Sequence, residues 1–92
     1  MTQQSGKSFK MLANDVSDGY ITVNPLFLKN FNESGLKSLL KAVEQKQIEL
    51  RSEPFPYNDV SKIRHRNLRL QRLHSATVIL KNYAREKRIL LI

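Results

Sequence analysis

The longest regular pattern of apolar and polar positions lies in the last third of the chain. From residue 60 to residue 88 there is no glycine and no proline. Apolar residues recur there at steps of three, four and seven, as on one face of a helix. They are Ile63, Leu68, Leu70, Leu73, Ala76, Thr77, Ile79, Leu80, Tyr83 and Ala84. The pattern predicts one long amphipathic helix of about 25–30 residues.

A second helical pattern precedes it, carried by Leu36, Leu39, Leu40, Val43 and Leu50. Asn30 and Glu33 have the spacing of a capping box, so this helix is predicted over residues 31–50 with its cap at Asn30. Pro54 and Pro56 then interrupt it, because proline disfavours helix in the residue before it. Asn58, Asp59 or Ser61 can cap the long helix that follows.

The N-terminal third allows two interpretations. Phe9, Leu12 and Val16 fall at i, i+3 and i+7, which indicates a short helix that Gly19 would end. The alternative is a hairpin with strands at residues 8–12 and 20–23. We favour the helix because residues 13–15 interrupt the first strand. The sequence thus predicts a disordered lead (residues 1–6) and a single small, mainly α domain (residues 7–92), with a possible short N-terminal hairpin.

The positive charge is unevenly distributed. The net charge is +8, yet residues 1–59 hold seven Lys/Arg and seven Asp/Glu. Residues 60–92 hold nine Lys/Arg and one acid, Glu86. All the excess therefore belongs to the last third, which predicts a polyanion or an acidic protein surface as partner.

The densest cluster places five cations within residues 62–72. Arginine dominates it, and the planar guanidinium suits phosphate. Like charges this close on a helix repel one another unless an anion neutralises them. The candidate nucleic-acid-binding residues are Lys62, Arg64, Arg66, Arg69, Arg72, Lys81 and Arg85. No aromatic residue lies within the cluster at residues 62–72, so Phe55 and Tyr57 are predicted to be core or interface anchors and not base-stacking groups.

The long helix also needs an apolar neighbour, and residues 89–92 are apolar as well. Candidate interface residues are Leu73, Leu80, Tyr83, Leu90 and Leu91. They suggest a protein partner or a homo-oligomer. We therefore expect a small basic protein that binds nucleic acid or a nucleic-acid assembly, or alternatively a helical interaction subunit of a multiprotein complex.

Catalytic chemistry is not indicated. There is no cysteine, and the two histidines, His65 and His74, are nine residues apart with no acid near them. No phosphate-binding loop, nucleophile elbow or paired-carboxylate motif occurs. We expect no enzyme activity, cofactor or metal. The polar start of the chain and the lack of an apolar run of roughly 20 residues predict an intracellular protein, cytoplasmic or nuclear, without membrane contact.

Two segments, FNESGL at residues 31–36 and IRHRNLRLQRL at residues 63–73, are followed by further arginines at Arg85 and Arg88. This arrangement resembles the helical domain of the Psf-type subunits of GINS, a factor of the eukaryotic replicative helicase. The resemblance implies a non-enzymatic subunit of a nuclear replication complex, whose long helix packs against sister subunits.

Overall fold

Four helices follow one another along residues 8–91, the part of the chain that this computed structural model describes. They are α1 (Phe9–Ser17), α2 (Pro25–Leu28), α3 (Glu33–Ser52) and α4 (Val60–Glu86). The predicted mainly α fold with a long C-terminal helix is confirmed. The predicted disordered lead lies outside the described residues.

Each helix begins at a polar side chain that accepts a hydrogen bond from the backbone N–H three residues further on. The four capping residues are Ser8, Asn24, Asn32 and Asp59. The shortest of these bonds, 2.7 Å, joins the Gly35 N–H to Asn32 Oδ1. Because each cap satisfies an N–H that has no partner within its own helix, these residues determine where the helices start.

The N-terminal half differs from the sequence-based expectations in three ways. The hairpin alternative is wrong, since residues 9–17 are helical and no strand occurs among the described residues. The cap of α3 is Asn32 and not Asn30, whose side-chain amide instead donates to the Phe27 carbonyl at the end of α2 (3.1 Å). The four-residue helix α2 was not predicted, because it is too short to show a period.

The core lies where α1, α3 and α4 pack against one another, with α2 packed against α4. Its buried apolar residues include Leu12, Val16, Leu28, Leu36, Leu39, Leu40, Val43, Leu50, Leu73, Ala76 and Leu80. Leu73 and Leu80, which were predicted to contact another chain, are completely buried here. They offer no surface to a partner, because α1 and α3 of the same chain already cover the apolar stripe of α4.

The end of α4 turns the chain back toward the core. Arg88 has a φ of 57°, and the Ile89 N–H donates to the Ala84 carbonyl at 2.8 Å, as in a Schellman motif. Ile89 and Leu91 are partly buried against the core, whereas Leu90 is 69% exposed. Leu91, which was predicted to contact another chain, therefore packs partly against the core of its own chain, whereas Leu90 stays exposed.

Candidate nucleic-acid interface

The face of α4 that forms the core in its second half carries cations in its first half. Arg69, Arg66 and Lys62 precede Leu73 by 4, 7 and 11 residues, which is the spacing of one helical face. This half of α4 contributes no buried residue between positions 60 and 72. Arg64 precedes Leu73 by nine residues, about two and a half turns, and therefore lies on the opposite, exposed side.

Arg72 completes the hydrogen bonding at the end of α1. The last four carbonyls of a helix have no N–H partner within it. At α1 the carbonyls of residues 14, 15 and 16 accept from the backbone N–H groups of residues 18, 20 and 19. The remaining carbonyl, that of the completely buried Ser17, accepts from Arg72 Nη1 at 3.0 Å. The positive charge also lies at the negative end of the helix dipole.

Gly19 makes this contact possible. Its φ of +85° belongs to the left-handed region that glycine adopts without strain. A Cβ atom at this position would lie 2.9 Å from Arg72 Cζ. One turn earlier on α4, Arg69 Nε lies 3.3 Å from Asp18 Oδ1. The two arginines, with Ser17, Asp18 and Gly19, form an arginine clamp that holds the end of α1 against α4.

The clamp changes the candidate site. Arg69 and Arg72 were predicted to bind nucleic acid, but their charges are engaged by α1 of the same chain. The Arg69 side chain is only 19% exposed. We therefore remove both residues from the candidate binding surface and assign them a structural role.

Arg66 faces the loop between α3 and α4. Its Cζ lies 5.3 Å from the centroid of the Phe55 ring, within the range of a cation–π contact. The Phe55 and Tyr57 rings are themselves 4.8 Å apart. Arg66 Nε is buried and has no hydrogen-bond acceptor among the described residues.

A cleft of about 390 Å³ opens between the end of α3, the loop and the first half of α4. It is lined by Leu50, Glu53, Pro54, Pro56, Lys62, His65, Arg66 and Arg69. Lys62 on the cleft side of α4 and Arg64 on the opposite side are exposed and form no ion pair with any described residue. We call Lys62, Arg64, His65 and Arg66 the basic end of α4.

The remaining candidates lie near the other end of the helix. Lys81 Nζ is 3.9 Å from Glu44 Oε2, so its charge is partly balanced by α3, whereas Arg85 is exposed and has no ion-pair partner in the described chain. Both line an open groove of about 540 Å³ with Leu90 and Leu91. Tyr83 is partly buried, with Lys87 Nζ 5.7 Å from its ring centroid.

Sequence reasoning missed the loop aromatics and His65 as neighbours of the free cations. Phe55 and Tyr57 are separated from Arg66 by at least nine residues, and only the turn at residues 56–59 brings Phe55 to its guanidinium. The sequence signal for this contact is the pair of prolines, Pro54 and Pro56, shortly before a capped basic helix. Proline fixes the backbone φ angle, so such a loop keeps its aromatic residues close to the start of the helix.

Comparison with protein-family models, with curated proteins and with solved structures finds no match to this chain. The resemblance to GINS subunits accordingly stays a hypothesis. Among the described residues, no group of three or more His, Asp or Glu side chains is arranged to hold a metal ion. No helix in this part of the chain combines the length and apolar character needed to cross a membrane.

Proposed function

We propose that the protein binds nucleic acid, without catalysing a reaction, through the basic end of α4. The observation that supports this proposal is the exposure of Lys62 and Arg64, which have no ion-pair partner in the described chain. Lys62 lines the cleft together with His65 and Arg66, and Arg64 lies on the opposite side of α4. Glu53 is the single acidic residue that lines this cleft. Phosphate oxygens would neutralise the cluster and supply acceptors for the guanidinium groups.

The number of free cations sets the expected salt dependence. If Lys62, Arg64 and Arg66 each contact one phosphate of a duplex, the slope of log K against log salt is about −2.7. Affinity then falls about 40-fold when salt rises from about 50 to about 200 mM. Contacts of this kind carry little sequence information, so we expect binding to differ little among sequences.

Arg64→Gln tests the proposal, with Arg85→Gln as its matched control. Both arginines are exposed on α4 without an ion-pair partner in the described chain, and they lie about 30 Å apart along the helix. Both variants lose one charge, so a general effect of net charge is the same in each. We expect Arg64→Gln to lower affinity for labelled DNA and RNA and to reduce the salt slope by about 0.7–0.9, with a smaller effect for Arg85→Gln.

Two results would contradict this assignment in different ways. No salt-dependent binding of DNA or RNA at low ionic strength would refute nucleic-acid binding altogether. Equal losses in the two variants would retain nucleic-acid binding but refute its location at the basic end, since the whole length of α4 would then contribute.

A second candidate function is an interaction subunit, and the C-terminal groove favours it. Leu90 is 69% exposed beside this groove, next to Leu91. The GINS resemblance implies the same kind of role, although Leu73 and Leu80 are not accessible for it. Sedimentation of the purified chain at low and high salt tests self-association: a salt-resistant oligomer supports it, and a monomer throughout contradicts a homo-oligomer.

A further inference from the structure

An exposed tyrosine stands beside the basic end of α4. Tyr57 is 81% exposed. Phe55, whose ring centroid lies 4.8 Å away, is also exposed in part. A side chain with so little contact contributes little to folding, so its apolar face is available to a ligand.

The backbone of the loop that carries this ring is held in a defined conformation. Pro54 and Pro56 fix two φ angles directly before Tyr57. The Tyr57 N–H donates to the Phe55 carbonyl at 3.0 Å, and the Asp59 N–H donates to the Pro56 carbonyl at 3.1 Å. Asp59 in turn caps α4. A loop backbone that is already fixed loses little conformational entropy when a ligand packs on the ring that it carries.

The cations of the cleft lie directly below the loop. Arg66 contacts the Phe55 ring, and Lys62 and His65 line the cleft together with Pro56. An aromatic face and unneutralised positive charge therefore occur at one place. Stacking surfaces next to cations are the combination with which proteins bind unpaired bases and their phosphates.

We propose that the basic end of α4 selects single-stranded over double-stranded nucleic acid, with one unpaired base stacked on Tyr57 and the adjoining phosphates on Lys62 and Arg66. This inference rests on the proposed function and specifies its ligand. A paired base within a duplex presents only its edges, because its faces are covered by neighbouring bases. Tyr57 can therefore contribute to the binding of a single strand without contributing to that of a duplex.

The test measures fluorescence anisotropy with labelled oligothymidylate of about twelve nucleotides and with a duplex of the same length. Tyr57→Ala is expected to weaken single-strand binding by about 5- to 150-fold and to leave duplex binding unchanged. Tyr57→Phe keeps the ring and should retain most of the affinity. Tyr20→Ala is the matched control, because Tyr20 is also 81% exposed but lies in the loop after α1.

The outcomes separate this inference from the function on which it rests. Single-strand affinity that is unchanged in Tyr57→Ala but lowered in Arg64→Gln would overturn the stacking inference and leave nucleic-acid binding intact. Equal losses for Tyr57→Ala and Tyr20→Ala would also overturn it. If the protein binds neither the single strand nor the duplex, both proposals are refuted. The exposed Tyr57 ring would then be assigned to contact with a protein partner.

Discussion

Arg72→Met tests whether the arginine clamp holds α1 in place. Methionine keeps most of the apolar stem of arginine and removes the guanidinium, so the variant isolates the polar contact from side-chain packing. In the wild-type chain Arg72 Nη1 is 3.0 Å from the Ser17 carbonyl oxygen. Ser17 is completely buried, so water cannot readily replace the lost donor.

The expected loss of stability follows from this geometry. Hydrogen bonds to charged groups contribute about 1.5–3 kcal/mol, and a buried acceptor left without a donor costs a similar amount. A cation at a helix C-terminus adds about 0.3–1 kcal/mol. We expect Arg72→Met to lower the free energy of unfolding by about 2 kcal/mol, which for a chain of this size lowers Tm by about 8–16 °C.

Urea denaturation followed by circular dichroism measures this change, with Arg64→Met as the control. Arg64 is exposed and has no ion-pair partner among the described residues, so its replacement should alter stability by no more than about 0.5 kcal/mol. Arg72→Lys keeps the charge but not the planar guanidinium, so its free energy of unfolding should lie between those of Arg72→Met and Arg64→Met. If Arg72→Met is no less stable than Arg64→Met, the clamp does not stabilise the fold.

Two further predictions concern the left-handed turns that end α1 and α4. Arg88→Gly should raise stability by about 1 kcal/mol in the same urea assay, because Arg88 has a φ of 57° and glycine adopts it without strain; an unchanged or lower value would contradict this. Gly19→Ala should lower stability by about 1–2 kcal/mol through the φ of +85° and the crowding against Arg72. The double variant Gly19→Ala/Arg72→Met should lose less stability than the two single variants added together, because the shorter methionine relieves the crowding at Cβ.

Much of the fold can be predicted from the sequence because its determinants are local. The helical spacing of Phe9, Leu12 and Val16 and the stop at Gly19 identify α1, and both agree with the structure. The absence of glycine and proline after the loop identifies α4. The cap of α3 was misplaced by two residues, since Asn30 and Asn32 are both suitable caps and only the local turn after α2 decides between them.

The division of the arginines between fold and surface is a tertiary property. The partner of Arg72 is a carbonyl 55 residues earlier in the chain, and no local pattern indicates it. A partial signal existed at Arg69, which precedes Leu73 by one turn and continues the spacing of Leu73, Ala76 and Leu80 on the core-facing side of α4. From charge density alone, all five cations within residues 62–72 were predicted to bind nucleic acid.

Because some arginines stabilise the fold and others are exposed, only some sets of arginine substitutions give an interpretable binding experiment. Replacing Arg64, Arg66, Arg69 and Arg72 together would remove the clamp and the proposed phosphate contacts at once, so a loss of binding could result from unfolding alone. Single replacements avoid this, because Arg64 is free and Arg72 is engaged. If the two roles are separate, Arg64→Gln should weaken nucleic-acid binding at unchanged stability. Arg72→Met should lower stability while the molecules that remain folded bind with nearly unchanged affinity.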